Sequence, residues 1–276
     1  MNVLSLFDGI SCGQLALQRA GIKVDKYFAS EIKNHAIKCT QHHFQETVQL
    51  GDVCKVKAAD LPKIDLLIGG SPCQNFSSFN QQDRRGLEGE KSRLFFEYLR
   101  LLKECRPRFF LLENVVVAKE HLEVINRLLG VEPITINSAL VSAQSRRRMY
   151  WTNIPNVYEP DDRHITFQSI LESGYTPKEK SNCLLASVHP WRNKLKLYSS
   201  SFVTYTDHNM IFDDEETWLL CKDYFEKNFP DAKSVVGLPE EYPDYFEKSR
   251  MPTTVEMERL QTLPDGYCTS AGLSRA

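Results

Sequence analysis

The chain has 276 residues, of which 42% are hydrophobic and 25% are charged, a composition typical of globular proteins. This composition excludes a disordered chain, a collagen-like repeat and a long coiled coil. The 34 basic and 36 acidic residues give a formal net charge of −2. That balance neither favours nor excludes a polyanionic partner, because such binding depends on local clusters of charge.

Strands and helices are predicted to alternate through residues 1–154. Short apolar runs predict strands at residues 2–7, 26–30, 47–50, 64–68, 108–112, 134–141 and 149–154. Amphipathic spacing predicts helices at residues 13–20, 32–43, 92–105 and 119–129. Several strands are almost continuously apolar, as expected when helices cover both faces of a sheet. We therefore predict an α/β fold with a doubly wound, mostly parallel sheet.

The alternation stops after residue 154, where prolines and polar residues become frequent. We predict a smaller, irregular domain at residues 155–249, with only short strands such as 201–205. Its charge is segregated, because residues 178–196 carry five basic and one acidic residue, whereas residues 207–247 carry 12 acidic and three basic residues. An amphipathic helix at residues 253–263 is predicted to return to the first domain.

No apolar run approaches the roughly 20 residues that a membrane-spanning helix needs, so we expect no membrane contact. The start of the chain has no basic leader and reads as a strand, not as a secretory signal. The eight cysteines are never closer than 15 residues apart, which argues against zinc knuckles and redox dithiols, and no metal site is predicted. Because the sequence has no secretory signal, we expect the cysteines to be reduced thiols. Reduced thiols indicate a cytoplasmic chain in a prokaryote or phage host, or a nuclear chain in a eukaryote.

A ligand-binding turn is predicted where the first strand ends. A glycine-bearing turn and a helix start follow that strand in the order Phe7-Asp8-Gly9-Ile10-Ser11-Cys12-Gly13. Such a turn lets a ligand approach the backbone at the carboxyl edge of a parallel sheet. Glu31 and Asp52 follow the next two strands, where they suit ribose hydroxyls and a purine amino group. The alternative is an ordinary turn flanked by solvated acids.

Cys73 is the strongest candidate for a nucleophile. It follows the fourth predicted strand within Gly69-Gly70-Ser71-Pro72-Cys73, and the glycines and the proline indicate an exposed turn. A thiol at this position lies beside the ligand crevice instead of in the core. The alternative is one more buried cysteine.

Glu113 closes the next strand, 40 residues after Cys73, and is predicted to hold or donate a proton there. Arg146, Arg147 and Arg148 precede a further strand. The alternation of side chains places Arg146 and Arg148 on one face, where they can hold a phosphate or a base oxygen. A solvated basic turn is the alternative interpretation.

Together these residues resemble the DNA cytosine-5 methyltransferases, and most closely their de novo branch and related phage and bacterial enzymes. Segments 94–97 and 250–260 extend the resemblance beyond the crevice. Its main support is the order of six motifs within residues 1–154, namely Leu6-Phe7-Asp8-Gly9-Ile10, Glu31, Gly51-Asp52-Val53, Gly69-Gly70-Ser71-Pro72-Cys73-Gln74, Glu113-Asn114-Val115 and Gln144-Ser145-Arg146-Arg147-Arg148.

The resemblance implies a class I S-adenosylmethionine-dependent methyltransferase fold, Rossmann-like, with residues 155–249 as the target-recognition domain. It implies methyl transfer to carbon 5 of a flipped-out cytosine through a covalent Cys73 adduct, with Glu113, Arg146 and Arg148 as the other catalytic residues. The residues that it assigns to S-adenosylmethionine are Phe7, Asp8, Gly9, Ile10, Ser11, Cys12, Glu31, Asp52, Val53 and Pro72.

Double-stranded DNA is the implied substrate, and its target base must leave the stack to be reached. We expect residues 74–91 to close over the DNA and the second domain to read bases. The basic residues expected to touch DNA are Arg84, Arg85, Lys178, Lys180, Arg192, Lys194 and Lys196.

One departure from the family pattern lies at the end of the sequence. The family's closing motif is expected shortly after Tyr267, but the sequence stops at Ala276. Either the chain is a fragment, or a partner chain supplies the missing wall of the cofactor pocket, or the cofactor binds weakly. Two other functions stay open at this point: a catalytically silent regulatory or DNA-binding homologue, and a tRNA cytosine-5 methyltransferase.

Overall fold

The computed structural model describes residues 1–71, 93–184, 209–228 and 244–273. The strands in these ranges are β1 (Asn2–Leu6), β2 (Lys26–Ser30), β3 (Val48–Gln49), β4 (Leu66–Gly69), β5 (Phe109–Asn114), β6 (Ile134–Asn137), β7 (Arg147–Thr152), β8 (Ile211–Phe212) and β9 (Ser249–Arg250). The α-helices are α1 (Cys12–Arg19), α2 (Asn34–His43), α3 (Arg93–Cys105), α4 (Lys119–Leu129), α5 (Glu215–Asn228), α6 (Thr254–Leu260) and α7 (Tyr267–Ser270). Among the helices of the described ranges, none has both the length and the apolar character needed to cross a bilayer.

Seven of the strands form one sheet in the order β3-β2-β1-β4-β5-β7-β6. The pairs among β1 to β5 are parallel, whereas β7 runs antiparallel to both β5 and β6. The chain leaves β1 first toward β2 and β3, and later returns to the other side of β1 with β4 and β5. This reversal places the carboxyl ends of β1 and β4 at a topological switch point, where open α/β sheets bind ligands. The prediction of a doubly wound, mostly parallel sheet is confirmed.

The sheet is held by an apolar core that its central strands share with the helices. Leu4, Leu6 and Leu67 are fully buried beside Tyr98 of α3, in one cluster that also contains Trp151 of β7. The Trp151 indole N–H donates to the side chain of Asn126 on α4 at 2.7 Å. Burial of large side chains such as these is the main source of stability of a sheet covered by helices.

The predicted strand at residues 134–141 is too long. In the structure β6 ends at Asn137, and Ser138–Leu140 forms a 3₁₀ turn. The hydroxyl of Ser142 donates to the carbonyl of Ser138 at 2.9 Å and so closes this turn. The apolar residues 139–141 fit the pattern of a strand, but local hydrogen bonds fold the backbone into a turn.

Two compact units divide the chain in a way that differs from the predicted domains. One unit comprises residues 1–137, 147–160 and 270–273, and the other includes residues 138–146 and 161–269. The helix expected to return to the first domain, α6, instead lies in the second unit, where Leu260 packs with Phe167 and Ile211. Amphipathic spacing shows that one face of a helix is buried, but it does not show which other element packs against that face.

Glu256 of α6 is an acid with four hydrogen bonds in the second unit. Its side chain is 0% exposed, and it accepts hydrogen bonds from both terminal nitrogens of Arg250 at 2.7 and 2.8 Å. The backbone N–H groups of Glu172 and Thr253 also donate to it, each at 2.8 Å. Burial alone would raise the pKa of Glu256, but Arg250 and the two N–H groups outweigh burial and lower that pKa.

We predict that Glu256→Gln lowers the free energy of unfolding at neutral pH by about 2 kcal/mol, because an amide replaces a buried carboxylate that accepts four hydrogen bonds, two of them from the Arg250 guanidinium. The folded pKa of Glu256 is below its ordinary value of 4.5. The stability from the carboxylate is therefore present above that value and is lost as the pH falls through the folded pKa. Chemical denaturation at several pH values should show the difference between wild type and Glu256→Gln shrinking on acidification.

Asp265→Asn serves as the matched control. Arg259 pairs with Asp265 at 2.6 Å, but the two side chains are 32% and 53% exposed. An exposed pair of this kind contributes about 1 kcal/mol or less. Equal losses in Glu256→Gln and Asp265→Asn would contradict the assignment of a stabilising role to the buried pair.

Candidate active site

The turn that follows β1 has an unusual backbone. Phe7, Gly9 and Ser11 all have positive φ, at 58°, 61° and 59°. Glycine adopts this conformation at no steric cost, whereas non-glycine residues held there store strain. A Cβ added to Gly9 would meet nothing within 4 Å, so the backbone of this turn faces open space at the switch point of the sheet.

A network of hydroxyl groups holds the turn from below. The carboxylate of Asp8 accepts hydrogen bonds from the hydroxyl of Tyr27 at 2.8 Å and from the hydroxyl of Ser11. Thr40 of α2 donates to Ser11 Oγ at 3.2 Å and lies 3.4 Å from the carbonyl of Gly9. Burial raises the pKa of Asp8 despite these donors, and burial together with the nearby Asp8 carboxylate raises the pKa of Tyr27.

Glu31, at the end of β2, joins the turn to the neighbouring strand. Its Oε2 accepts from the backbone N–H of Gly9 at 2.8 Å, and its Oε1 accepts from the N–H groups of Ile32 and Lys33 at 2.8 and 2.9 Å. Each carboxylate oxygen can accept more than one hydrogen bond, so this fixed carboxylate keeps the capacity to accept from ribose hydroxyls.

Asp52 begins the 3₁₀ turn Val53–Lys55 that follows β3, and its side chain accepts from the N–H of Cys54 at 3.0 Å. Gly51, with φ of 70°, precedes it and likewise has open space at the position of a Cβ. Arg100 of α3 supports this turn, because its Nη2 donates to the carbonyls of Val53 and Val56 at 3.2 and 3.0 Å. The carboxyl ends of β1, β2 and β3 thus bring Asp8, Glu31 and Asp52 to one edge of the sheet.

The loop after β4 runs against the end of β5. A Cβ added to Gly70 would lie 2.9 Å from Oε2 of Glu113, so a side chain at position 70 would push that carboxylate out of its observed position. The side-chain amide of Asn114 donates to the hydroxyl of Ser71 at 3.3 Å, and Ser71 is buried. Pro72, Cys73, Arg84 and Arg85 come after this loop and lie outside the described residues.

Glu113 and Arg148 form the central ion pair of the site. Glu113 of β5 lies opposite Tyr150 of the antiparallel strand β7, and Arg148, two residues from Tyr150, shares its face of the sheet. Nε of Arg148 donates to Oε1 of Glu113 at 2.8 Å, with the two side chains 15% and 31% exposed. The structure therefore brings two predicted catalytic residues together.

Arg146 has a different environment from Arg148. It belongs to the second unit, where its Nη1 lies 3.2 Å from the sulfur of Cys183. The alternation along β7 begins at Arg147, which is exposed, one residue after Arg146. Since β7 starts one residue after Arg146, the placement of Arg146 and Arg148 on one face of the sheet stays a prediction.

Lys180 does not have the environment predicted for a DNA contact. Its ammonium donates to the backbone carbonyls of Ala139, Ser142 and Ile165 at 2.6, 3.1 and 2.7 Å. An ammonium has three N–H donors, so all of them are used within the second unit. Lys178 lies among the described residues, whereas Arg192, Lys194 and Lys196 do not.

Sequence reasoning missed three residues that support the site. Tyr27, Thr40 and Arg100 hold the turns after β1 and β3 through hydrogen bonds across 19 to 47 positions of sequence. No local pattern marks them, because ordinary strand and helix residues surround each one. Asn114 belongs to a predicted motif, but its hydrogen bond to Ser71 was not predicted.

The comparisons with known proteins agree with this geometry. The family model for C-5 cytosine-specific DNA methylases matches residues 1–272. The chain belongs to this family. Members of the family depend on S-adenosylmethionine, which fits the edge of the sheet where Asp8, Glu31 and Asp52 lie.

Phage and bacterial methyltransferases are among the relatives. An orphan methyltransferase of Bacillus phage rho11s is 44% identical over 117 residues, which cover 42% of this chain and 23% of the relative. A type II methyltransferase of Lactococcus lactis is 35% identical over 160 residues (54% and 40%), and one of Neisseria gonorrhoeae is 30% identical over 204 residues (66% and 48%). The chain spans less than half the length of each of these curated relatives.

Solved structures share the fold. A mutant of Spodoptera frugiperda DNMT2 has a TM-score of 0.66 at 18% identity, covering 96% of this chain and 89% of its own. A prophage-encoded E. coli protein assigned as a DNA modification methyltransferase has a TM-score of 0.58 at 19% identity, covering 100% and 95%. The fold is that of the class I S-adenosylmethionine-dependent methyltransferases.

We predict that Glu31→Ala lowers the free energy of unfolding by about 2 kcal/mol, because hydrogen bonds to charged groups are stronger than neutral ones and three backbone N–H groups lose their acceptor. Hydrogen exchange at the amide of Gly9 should accelerate in the same variant. Asp52→Ala is the matched control, since that carboxylate accepts from the backbone N–H of Cys54. This substitution should lower the free energy of unfolding by less than about 1 kcal/mol. A loss no larger in Glu31→Ala than in Asp52→Ala would refute the bridging role of Glu31.

Proposed function

We propose that the chain is a DNA (cytosine-5)-methyltransferase that transfers a methyl group from S-adenosylmethionine to carbon 5 of a flipped-out cytosine. The observation that carries the proposal is the Glu113–Arg148 ion pair, 2.8 Å long, beside Gly70 and two strands away from the cofactor turn. The ion pair lies where the chain departs toward Cys73, only three residues beyond Gly70. The proposal assigns a proton carrier and a cofactor site to one edge of the sheet and takes the nucleophile, Cys73, from the sequence alone.

Cys73 is proposed as the nucleophile, by sequence and family. Carbon 5 of cytosine attacks a methyl group poorly until the ring is activated. The Cys73 sulfur forms a bond to carbon 6, and the electrons of the 5,6 double bond move to carbon 5. Carbon 5, activated in this way, would accept the methyl group that bound S-adenosylmethionine supplies. Loss of the carbon 5 proton to a base and departure of Cys73 restore the double bond.

Glu113 and Arg148 are proposed to hold the base during these steps. Glu113 shares a proton with ring nitrogen 3 and so offsets the charge that develops during addition. Arg148 fixes one oxygen of that carboxylate, and its guanidinium has further N–H donors for the base oxygen. Arg146, beside Cys183 in the second unit, remains a proposed contact to the base oxygen or to a phosphate.

The cofactor site is proposed to use the three acidic positions and the open glycines. S-adenosylmethionine, when bound, supplies an electrophilic methyl group on a sulfonium sulfur. Glu31 accepts from the ribose hydroxyls and Asp52 from the adenine amino group. The cradle for the remaining part is the turn of positive φ that begins at Phe7 and has open space at Gly9. The other proposed contacts are Asp8, Ile10, Ser11, Cys12, Val53 and Pro72.

Double-stranded DNA is the proposed substrate, and the phage and bacterial relatives favour a role in restriction-modification or phage DNA marking in a bacterial cytoplasm. Flipping the target base costs a few kcal/mol, which contacts to the phosphates can offset. Because the N–H groups of Lys180 are used within the protein, we leave it out of the DNA-binding set. The set that remains is Arg84, Arg85, Lys178, Arg192, Lys194 and Lys196.

We predict that Cys73→Ala lowers the rate of methyl transfer to duplex DNA by at least about 1,000-fold, a loss typical of removing a catalytic nucleophile. Binding of S-adenosylhomocysteine, measured by calorimetry, should survive. Cys105→Ala is the control, because Cys105 ends α3 and burial raises the pKa of its thiol. Wild-type activity in Cys73→Ala would overturn the nucleophile assignment. Methylation of tRNA in preference to duplex DNA would show that the proposed DNA substrate is wrong.

A covalent intermediate gives a second readout of the same step. With S-adenosylmethionine present, DNA that carries 5-fluorocytosine at the target site has no carbon 5 proton to lose after methyl transfer, so the adduct with Cys73 cannot resolve. Wild type should form a complex with such DNA that survives denaturing electrophoresis, and Cys73→Ala should not. The target sequence needed for this substrate comes from bisulfite sequencing of DNA from an expressing host.

We predict that Arg148→Lys lowers kcat about 100-fold, because an ammonium cannot reproduce the fixed geometry of the guanidinium toward Glu113 and the base. The neighbouring Arg147 is exposed and serves as the control. Arg147→Lys should change kcat less than about threefold, since it keeps the surface charge. Equal effects of the two substitutions would show that Arg148 contributes only its charge and would contradict the specific role proposed for its guanidinium.

A further inference from the structure

Tyr27 has a buried hydroxyl that connects a core strand to the cofactor turn. The residue lies in β2 and is 3% exposed. Its hydroxyl donates to Oδ1 of Asp8 at 2.8 Å, although the two residues are 19 positions apart in the sequence. A buried hydroxyl without an acceptor is costly, so Asp8 satisfies Tyr27 and Tyr27 in turn fixes the carboxylate.

The carboxylate of Asp8 passes this constraint on to the backbone of the turn. It accepts from the hydroxyl of Ser11, and the carbonyl of Asp8 accepts from the N–H of Ser11 at 3.2 Å. Ser11 has φ of 59° and ψ of 39°, the left-handed conformation that a serine rarely adopts. Such a conformation persists only when the surroundings over-determine it, and the link from Tyr27 through Asp8 to Ser11 supplies that constraint.

Gly13 makes room for the hydroxyl. A Cβ at position 13 would lie 3.2 Å from the oxygen of Tyr27 and 2.4 Å from Cδ1 of Ile68. A side chain at position 13 would displace the end of Ile68 and press on the Tyr27 hydroxyl. Gly13 thus allows close packing of α1 against Ile68 and Tyr27, separate from the conformational role of Gly9.

We infer that Tyr27 is a positioning residue for cofactor binding, which acts through Asp8 to hold the turn Phe7–Cys12 in its strained conformation. The inference rests on the proposed function, because it assumes that this turn receives S-adenosylmethionine. Tyr27 itself is packed among core residues of the sheet and is 3% exposed, so it offers almost no surface to a ligand. Its contribution is to keep the turn in a binding-competent shape before the cofactor arrives.

The charged and titratable groups around Asp8 give the inference a pH signature. Glu31 faces Asp8 from β2 and Cys12 faces Tyr27 from α1, while Ser5 and Ser11 supply hydroxyl groups. The hydroxyl of Tyr27 stabilises the charged form of Asp8, so its removal moves the pKa of Asp8 further upward. Acidification should then weaken cofactor binding at a higher pH than in wild type.

The test uses Tyr27→Phe, which removes one oxygen and keeps the ring. We expect the Kd for S-adenosylhomocysteine, measured by calorimetry on the full chain, to rise about tenfold, as for loss of one hydrogen bond to a charged group. The amides of Gly9 to Cys12 should exchange faster with solvent in the absence of cofactor. Affinity for duplex DNA without cofactor should not change.

Tyr98→Phe is the matched control. Tyr98 of α3 is also fully buried, but within the described residues its hydroxyl has no hydrogen-bond partner. Removing that oxygen should leave the Kd for S-adenosylhomocysteine within about twofold of wild type. Both variants keep their aromatic rings, so a difference between them isolates the hydrogen bond from packing.

A double-mutant cycle with Asp8→Ala decides whether Tyr27 acts through Asp8, because alanine leaves no acceptor for the Tyr27 hydroxyl. If it does, adding Tyr27→Phe to Asp8→Ala should weaken binding less than about twofold further. An unchanged Kd in a folded Tyr27→Phe, equal losses in Tyr27→Phe and Tyr98→Phe, or a full additional loss in the double variant would each overturn the inference. Failure of wild type to bind S-adenosylhomocysteine would instead overturn the proposed function, so the two failures can be told apart.

Discussion

The antiparallel pairing of β7 with β5 is the constraint on which the proposed chemistry depends. The pairing register sets Glu113 opposite Tyr150 and so brings Arg148 to the same face. A shift of one residue would turn Arg148 to the other face of the sheet, because side chains alternate along a strand. The 2.8 Å ion pair is thus a consequence of strand register. The parallel part of the sheet then supplies the proposed cofactor edge beside it.

Strain and support are combined at the cofactor turn. Three residues of positive φ within five positions leave the backbone of the turn open at Gly9. Hydroxyl groups from β2 and α2 and the carboxylate of Glu31 hold that shape from beneath. A pre-formed turn avoids part of the ordering cost when the cofactor binds. The same residues therefore explain both the stability of the turn and its readiness for a ligand.

The second unit uses buried charge in a different way. Glu256 joins α6 to Arg250 and to the backbone at residue 172, and Lys180 joins three separate carbonyls. The described part of this region has few strands. Ionic and backbone hydrogen bonds therefore hold it together in place of a continuous sheet. A basic residue in this region is consequently not evidence for DNA contact until its N–H donors have been accounted for.

The sequence alone determined the fold class, the order of the strands and helices along residues 1–154 and the candidate residues at the strand ends. These features follow from local hydrophobic period and from the turns after buried strands, which short windows of sequence contain. Only the tertiary structure decided that Arg148 pairs with Glu113, that Arg146 lies with Cys183 and that α6 belongs to the second unit. It also revealed Tyr27 beneath Asp8. These contacts depend on strand register and on packing between residues far apart in the chain, and no local sequence pattern contains that information.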